Sequence, residues 1–527
     1  MPADPVALSV FNSLLSSIAE EMGAALIRSS MSPNIRERHD LSCAVFDAEG
    51  ALVAQAAHIP VHLGAMPASV EAVRPLAPFA PGDIVVLNDP YLGGSHLPDV
   101  TMVSPVFTEA GPRRLIGYVA SRAHQSDIGG MSPGSMPLAA ELIQEGLIIP
   151  PVRLYTRGRL NRDVLALILR NVRTPEERLG DFEAQVAAQR TGERRIIALA
   201  ERHGVRLLRR RMRELQDYAE RLTRARLQRV PDGKYTFEDR LDDDGTTGAP
   251  VDLRVAITVQ GGTLEADFTG TSGERPGSIN AVPAVARSAV YYAVFCLIGD
   301  EAPINAGGSR PITVTLPAGS ILSPQNFRAV SAGNVETSQR IVDTVFGALA
   351  QALPDLIPAA SNGSMNNVLI GGWDSSRNRR FTYYETLGGG AGGGPSAPGL
   401  SAVHSHMTNT LNTPVEAIEA TYPFRIAGYA VRYGSGGNGS HAGGDGLRRV
   451  YEFVEPAEVT LMTDRRTFAP WGLAGGQPGS TGTNLLLKQD GRRIDLPPKT
   501  TFSAEPGDTL VIETPGGGGW GPVHPSG

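Results

Sequence analysis

Between residues 162 and about 228 the chain turns helical: apolar side chains return at steps of three and four, and no proline follows Pro175. The flanking stretches have another rhythm. Over residues 41–146 four short β-like runs, SCAVFD, GALVAQAA, DIVVLND and RLIGYVAS, are set apart by glycine and proline turns. A helical block inserted among strand-rich blocks excludes a purely helical or purely stranded fold, and 527 residues exceed what one hydrophobic core serves. The expected class is α+β, mixed and multi-domain. Its expected parts are a strand-rich N-terminal domain (1–160), an arginine-rich helical segment (161–230), a β-hairpin and helix domain (231–345) and a glycine-rich α/β C-terminal domain (346–527).

Local signals fill in this outline. Asp4-Pro5 fits an N-cap followed by proline at the first helical position, and Val6, Val10, Leu14, Ile18, Met22 and Leu26 recur at helical spacing to about Ser30. Asp47-Ala48-Glu49-Gly50 reads as a hairpin connection. After Asp232-Gly233, the segments YTFEDRL and VDLRVAITVQ-GG-TLEADFTG alternate with period two, and Gly261-Gly262 suits a primed hairpin turn. Helical patches follow at 280–298 and 337–353. The last third reads as irregular, with glycine runs at 388–394, 434–446 and 515–519 and no fixed-period repeat.

Charge and composition remove several functions. A net charge of −6 and a pI near 6.0 argue against nucleic-acid binding. Lys234, Lys488 and Lys499 are the only lysines, and no G-x-x-x-x-G-K-[ST] sequence exists, which excludes a P-loop. Cys43 and Cys296 lie inside apolar runs, so buried thiols in a reducing compartment are expected rather than a disulfide. No basic region precedes an apolar stretch at the N-terminus, and the most apolar window, 281–298, is interrupted by Pro283 and Arg287. A soluble cytoplasmic protein is expected.

The chemistry concentrates in the first quarter, which holds five of the ten histidines (His39, His58, His62, His96 and His124). His96-Leu97-Pro98-Asp99 and His124 sit on loops that follow apolar, β-branched runs, and side chains at the ends of neighbouring strands converge. Two imidazoles with a carboxylate suit a divalent ion, Zn, Mn or Fe. A fourth ligand is expected from Glu37 or Asp40 in NIRERHDLSC, and Asp127 is placed to orient an imidazole or act as a base. The bland alternative is turn chemistry: His96 and Asp99 closing turns, and His124 a satisfied core histidine. For His58 and His62, separated by Pro60, core packing or lining of the same cleft is the expectation rather than a second metal.

Weaker signals have bland readings too. Gly130-Met131-Ser132-Pro133-Gly134 matches G-x-S-x-G, but that motif needs a preceding strand and a following helix, and Pro133-Gly134 continues a loop. Residues 190–229 carry thirteen arginines against five acidic residues, with Tyr218 the only aromatic, so a solvated helical hairpin or a surface for an acidic partner is expected. The glycine runs are either phosphate-cradling backbone or plain loops. Two polar groups stand out in apolar surroundings: Glu385 with His404, His406, Asn409, Thr410, Asn412 and Glu416, and Asn280 with Asn305, Arg328, Asn334 and Glu336. Each reads either as a channel lining or as support for buried backbone.

The runs ERHDLSCAVFDAEGALVAQAAHIPVHLGAMP, GDIVVLNDPYLGGSHLPDVTMVSPVF and RAHQSDIGGMSPGSMP resemble the B subunit of ATP-dependent hydantoinases and 5-oxoprolinases. So do INAVPAVARSAVYYAVFCL, ETLGGGAGG, HMTNTLNTPVE and TPGGGGWG, and the likeness follows the whole chain in order. It extends to subunits of acetone and acetophenone carboxylases and of a caprolactam-opening enzyme. The resemblance implies a partner A subunit with an actin-like ATPase fold, assembled as a heterotetramer, that uses ATP to phosphorylate an amide or carbonyl oxygen. The B subunit then hydrolyses the activated cyclic amide. It implies metal ligands at His96, Asp99 and His124, with Asp40 as the acidic ligand and Glu37 the next choice, and Zn or Mn as the ion. Phosphorylating the amide oxygen removes its resonance, and a bound divalent ion lowers the pKa of water to about 7, leaving a second proton for Glu37 or Asp127. Two other functions fit the same likeness: a subunit of an ATP-dependent ketone carboxylase, or a non-catalytic scaffold.

Overall fold

The computed structural model describes residues 5–109, 112–299 and 303–523. The first helix, Pro5–Ser29, buries Leu8, Leu15, Ile18, Met22 and Leu26; Asp4, its expected cap, lies outside the described residues. That face packs on the helix Pro175–His203, where Gly192 leaves room for Met22: a Cβ there would lie 2.4 Å from the Met22 Sδ.

The N-terminal sheet has seven strands: β1 Leu41–Asp47, β2 Leu52–Gln55, β3 Ile84–Leu87, β4 Asp99–Phe107, β5 Leu115–His124, β6 Val152–Thr156 and β7 Arg159–Leu160. Their order is β2-β1-β5-β4-β3-β6-β7, antiparallel throughout. The four expected runs are all strands. β4 is an addition, and it gives Asp99 and His124 positions on strand ends rather than in loops. β1, β3, β4 and β5 are buried on both faces, which erases the polar half of a period-two pattern. The helix His62–Val73 is also an addition; Gly64 and Pro67 hide it in the sequence. Gly64 is where it crosses the buried helix Pro283–Ile298, a Cβ there meeting the Ala284 carbonyl oxygen at 2.8 Å.

The helical block is Arg162–Arg170, Pro175–His203 and Val205–Leu227. Its arginines pair with acidic neighbours, Arg195 with Glu21, Arg211 with Glu214 at 2.7 Å and Arg224 with Glu220 at 2.9 Å, in keeping with a solvated helical surface. Gly233–Leu241, Val251–Gln260, Thr263–Asp267 and Ile312–Thr315 form a second sheet. Gly261 (φ 55°) and Gly262 (φ 84°) make the primed turn. The wholly buried helix Ser338–Leu349 packs on this sheet and is preceded by a π-helical turn, Gly333–Thr337.

The C-terminal third departs from the irregular reading. It carries a four-stranded and a five-stranded sheet and, among the described residues, one short helix, Val415–Thr421. The glycine runs are neither phosphate cradles nor plain loops; they stack on one another. Gly390 N donates to the Pro515 carbonyl (3.0 Å), Gly517 N to Gly444 (2.9 Å) and Gly437 N to Gly517 (2.9 Å). A Cβ on Gly390, Gly443 or Gly517 would fall within 2.0 Å of a facing backbone oxygen. Only glycine lets three backbones approach so closely, and their N–H groups are spent on one another. Neither cysteine is disulfide-bonded; Cys43 is buried as expected, whereas Cys296 lies exposed on its helix. Among the described residues no helix is long and apolar enough to cross a membrane.

Candidate metal centre

Because β5 runs antiparallel to both neighbours, the start of β1, the end of β5 and the start of β4 meet at one edge of the sheet. Asp40 precedes β1, His124 closes β5 and Asp99 opens β4. Asp99 and His124 are register partners, and the His124 N–H donates to the Asp40 carbonyl at 3.1 Å. His96 enters from the turn before β4. There Gly94 permits a hairpin-tight return, a Cβ meeting the Asn88 carbonyl oxygen at 2.4 Å, and the Asn88 side chain donates to the Leu97 carbonyl at 2.8 Å.

His96, Asp99 and His124 each offer a ligand atom within 4.8 Å of the other two. Their exposures are 0 %, 1 % and 3 %. Both ring nitrogens of His96, Oδ1 of Asp99 and Nε2 of His124 are buried with no hydrogen-bond partner, although His96 Nε2 lies at ion-pair distance, 3.4 Å, from Asp99 Oδ2. Leaving one such atom unsatisfied costs about 1–3 kcal/mol, so four together fit a group that supplies the missing partner. Two imidazoles and a carboxylate are the donor set of a borderline divalent ion.

Asp40 is buried beside them, 3.9 Å from Arg38. Burial pushes its pKa up to about 7, Asp99 adding to the rise while Arg38 and His96 oppose it. Glu37, the other acidic candidate, ends the short Pro33–Arg36 turn, is partly exposed and pairs with Arg36 at 2.9 Å. Asp127 is buried in another bond set: Arg173 Nη1 (2.8 Å), the Arg173 N–H (2.8 Å) and the Gly129 N–H (3.2 Å).

The surroundings hold the cluster. His62, expected as core or cleft lining, joins it: Nε2 is 3.2 Å from Asp99 Oδ2 and Nδ1 is 2.8 Å from Ser42 Oγ. Ser95 donates to the same Asp99 oxygen at 2.5 Å, and the buried Arg122 supports Ser95 at 3.2 Å. Burial raises the Asp99 pKa, but His96 and His62 outweigh it and hold the carboxyl well below the usual range. Burial, then the neighbouring His96, holds His124 well below the ordinary histidine value. Its ring stacks on Tyr384 with centroids 4.5 Å apart, and Asn34 Nδ2 lies 2.7 Å from its carbonyl oxygen and 3.1 Å from Nδ1. His58 is structural, its Nδ1 accepting the Cys43 N–H at 3.1 Å.

The other polar groups divide. Glu385 accepts the Thr413 N–H at 2.7 Å and pairs with Arg449 at 3.4 Å. His406 pairs with Asp343 at 3.2 Å and Arg328 with Glu274 at 3.2 Å. Asn280 bonds three backbone carbonyls, and Asn305 caps a helical turn. Glu336 reaches the centre indirectly, through Asn367 (2.8 Å) and the Tyr384 hydroxyl (3.0 Å). No helix opens directly after Gly130–Gly134, so the serine-elbow context is missing.

Residues 4–523 match the family described as hydantoinase B/oxoprolinase. 5-Oxoprolinase 1 of Arabidopsis thaliana is 40 % identical over 98 % of this chain, which spans 42 % of that longer protein. A putative D-/L-hydantoinase B subunit from Pseudomonas sp. strain NS671 is 32 % identical over 98 % of this chain and 90 % of its own length. An ATP-dependent caprolactamase from Pseudomonas jessenii superposes with a TM-score of 0.91 at 29 % identity, covering 99 % of this chain and 92 % of that one. Acetone carboxylase shares the fold at a TM-score of 0.91 and 19 % identity, over 98 % of this chain and 76 % of that one.

Proposed function

The chain belongs to the hydantoinase B/oxoprolinase family, and on that footing we propose that it is the metal-bearing B-type component of an ATP-dependent hydrolase of cyclic amides. The observation that carries this reading is the buried meeting of partnerless His96, Asp99 and His124 atoms at one sheet edge. Hydantoinase, oxoprolinase and caprolactamase relatives support a cyclic amide as the substrate class, and the ATP-dependent caprolactamase supports the ATP requirement. The likeness to a putative hydantoinase B subunit supports an A-type ATPase partner, assembled with this chain as a heterotetramer, that phosphorylates the amide oxygen.

His96, Asp99, His124 and Asp40 would hold one Zn or Mn ion. When bound, such an ion polarises a carbonyl or phosphoryl oxygen and lowers the pKa of water to about 7. The chain's own residues do the positioning. Ser95, His62 and Arg122 fix Asp99, Tyr384 and Asn34 fix His124, and burial shields an activated amide from bulk water. The contacts of Glu37 and Asp127 give no support to a proton-transfer role for either, so the proposal carries the four ligands alone.

The test is reconstitution with an A-type ATPase and a screen of hydantoins, 5-oxoproline and lactams for ATP-dependent ring opening. The expected result is opening of at least one ring with stoichiometric ATP use, abolished in His96→Ala. Bicarbonate-dependent ATP turnover with a ketone would contradict it in favour of a carboxylase. An unchanged rate with both His96 and His124 replaced would leave only a scaffold.

A further inference from the structure

Residues 59–63 bring His62 to Asp99, and Ile59, Pro60 and Leu63 of the same segment wall a cavity of about 570 Å³. Tyr292 and Phe295 of the helix Pro283–Ile298 line it as well, together with Ile304, whose apolar side chain is 43 % exposed. Gln55 and Asn409 add side-chain amides. His58 also lines it, and its Nδ1 accepts the Cys43 N–H at 3.1 Å, which keeps that ring neutral. Among the described lining residues there is no lysine, arginine, aspartate or glutamate.

The cavity wall is hydrogen-bonded into the support of the metal centre. The Ile59 N–H donates to Ser42 Oγ at 3.3 Å, and the same hydroxyl lies 2.8 Å from His62 Nδ1. His62 Nε2 in turn lies 3.2 Å from Asp99 Oδ2. One residue past Leu63, the Gly64 N–H donates to Ser288 Oγ at 2.7 Å. That bond ties the first turn of the helix His62–Val73 to the helix that carries Tyr292 and Phe295. A ligand that displaces Ile59 thus moves the hydroxyl against which His62 is braced.

Folded interiors hold few voids larger than a water molecule. Cavities of about 300–1,000 Å³ with apolar walls and a few polar groups instead take small organic ligands. An ion entering this one meets no countercharge among the described side chains, at a desolvation cost of several kcal/mol. The apolar walls suit a ring, and the amides of Gln55 and Asn409 suit one hydrogen-bonding group on it. We propose that this cavity binds an uncharged, largely apolar ring compound bearing one such group, and that its occupancy is transmitted through Ile59, Ser42 and His62 to Asp99. The site stands whether or not the chain opens cyclic amides.

The test uses N-phenyl-1-naphthylamine, an uncharged fluorophore with aromatic rings and a single N–H. One molecule per chain is expected to bind saturably and, in crystals, to lie between Leu63 and Phe295. Its sulfonated relative, 8-anilinonaphthalene-1-sulfonate, is expected to bind about 10-fold more weakly or worse, because its charge enters unpaired. Cys296→Trp and Ile304→Trp each add an indole to the lining. Each is expected to weaken binding of the neutral compound about 10-fold or more while the chain stays folded. In histidine-labelled protein, the His62 nitrogen NMR signals are expected to shift on saturation, and Ser42→Ala is expected to retain binding and lose that shift. A wild type that binds nothing saturably, a sulfonate that binds as tightly, or undiminished binding in a folded tryptophan variant overturns the proposal. So does a His62 signal that ignores the bound compound, or one that shifts equally in Ser42→Ala.

Discussion

His62 holds its Nε2 3.2 Å from Oδ2 of Asp99, across 37 residues of sequence, while Ser42 braces its other ring nitrogen at 2.8 Å. A carboxylate fixed this way keeps Oδ2 3.4 Å from His96 Nε2 and leaves Oδ1 buried without a hydrogen-bond partner. Replacing such a brace costs roughly 10- to 100-fold in metal affinity without removing a ligand. His62→Ala is therefore expected to weaken Zn or Mn binding by that factor, as read by chelator competition. Wild-type affinity in the variant would show that His62 is only packing.

Lys499 is buried, with Nζ 2.9 Å from Asp464 and 3.4 Å from Asp243, and Arg340 reaches Asp464 from another side at 2.7 Å. Removing one partner of a buried charge set strands the rest, at about 3–5 kcal/mol. Lys499→Met should lower the thermal midpoint clearly, and Lys499→Met with Asp464→Asn should recover part of the loss. Equal melting of the single variant and wild type would contradict the coupling.

The stacked glycine runs predict a sharp positional contrast. A Cβ at Gly444 would lie 1.9 Å from the Leu400 carbonyl oxygen, whereas one at Gly394 meets nothing nearer than 3.8 Å. Gly444→Ala should destabilise by about 3 kcal/mol or more, beyond ordinary overpacking. Gly394→Ala should cost less than about 1 kcal/mol. Comparable melting of the two variants would mean that the layer can yield.

Acid should destabilise the fold through His58. Burial, then the nearby His62 and His39, lowers its pKa to about 4. The unfolded chain binds the proton near pH 6.5 and the folded chain only near 4, so stability is lost as pH falls through that window, by up to about 3 kcal/mol. His404, lowered to about 4 chiefly by burial, acts in the same direction. His58→Gln should make the fall in melting temperature between pH 6.5 and 4 shallower. An unchanged slope would show that His58 does not titrate on unfolding.

Residues close in sequence to the strand ends are legible; those brought in by tertiary contact are not. His96, Asp99 and His124 can be read together because apolar β-branched runs lead into them. β4 cannot, since Pro105 interrupts it and both of its faces are buried. The likeness of the chain to hydantoinase B subunits points to the same residues, and the family match bears that likeness out. His62 gives no signal, because its role depends on where a helix containing Gly64 and Pro67 begins. In the C-terminal third, Gly371-Gly372 inside the strand Asn367–Asp374 and Gly428 inside Phe424–Arg432 mask strands within a stretch that reads as irregular.

The most direct test of the central claim is metal analysis of the purified chain after loading with Zn or Mn and removal of excess ion, with anomalous diffraction to locate what is retained. The account predicts about one ion per chain, lodged among His96, Asp99, His124 and Asp40, and its loss in a folded His124→Ala variant. A loaded wild-type chain that retains no ion, or holds it away from these side chains, would contradict it.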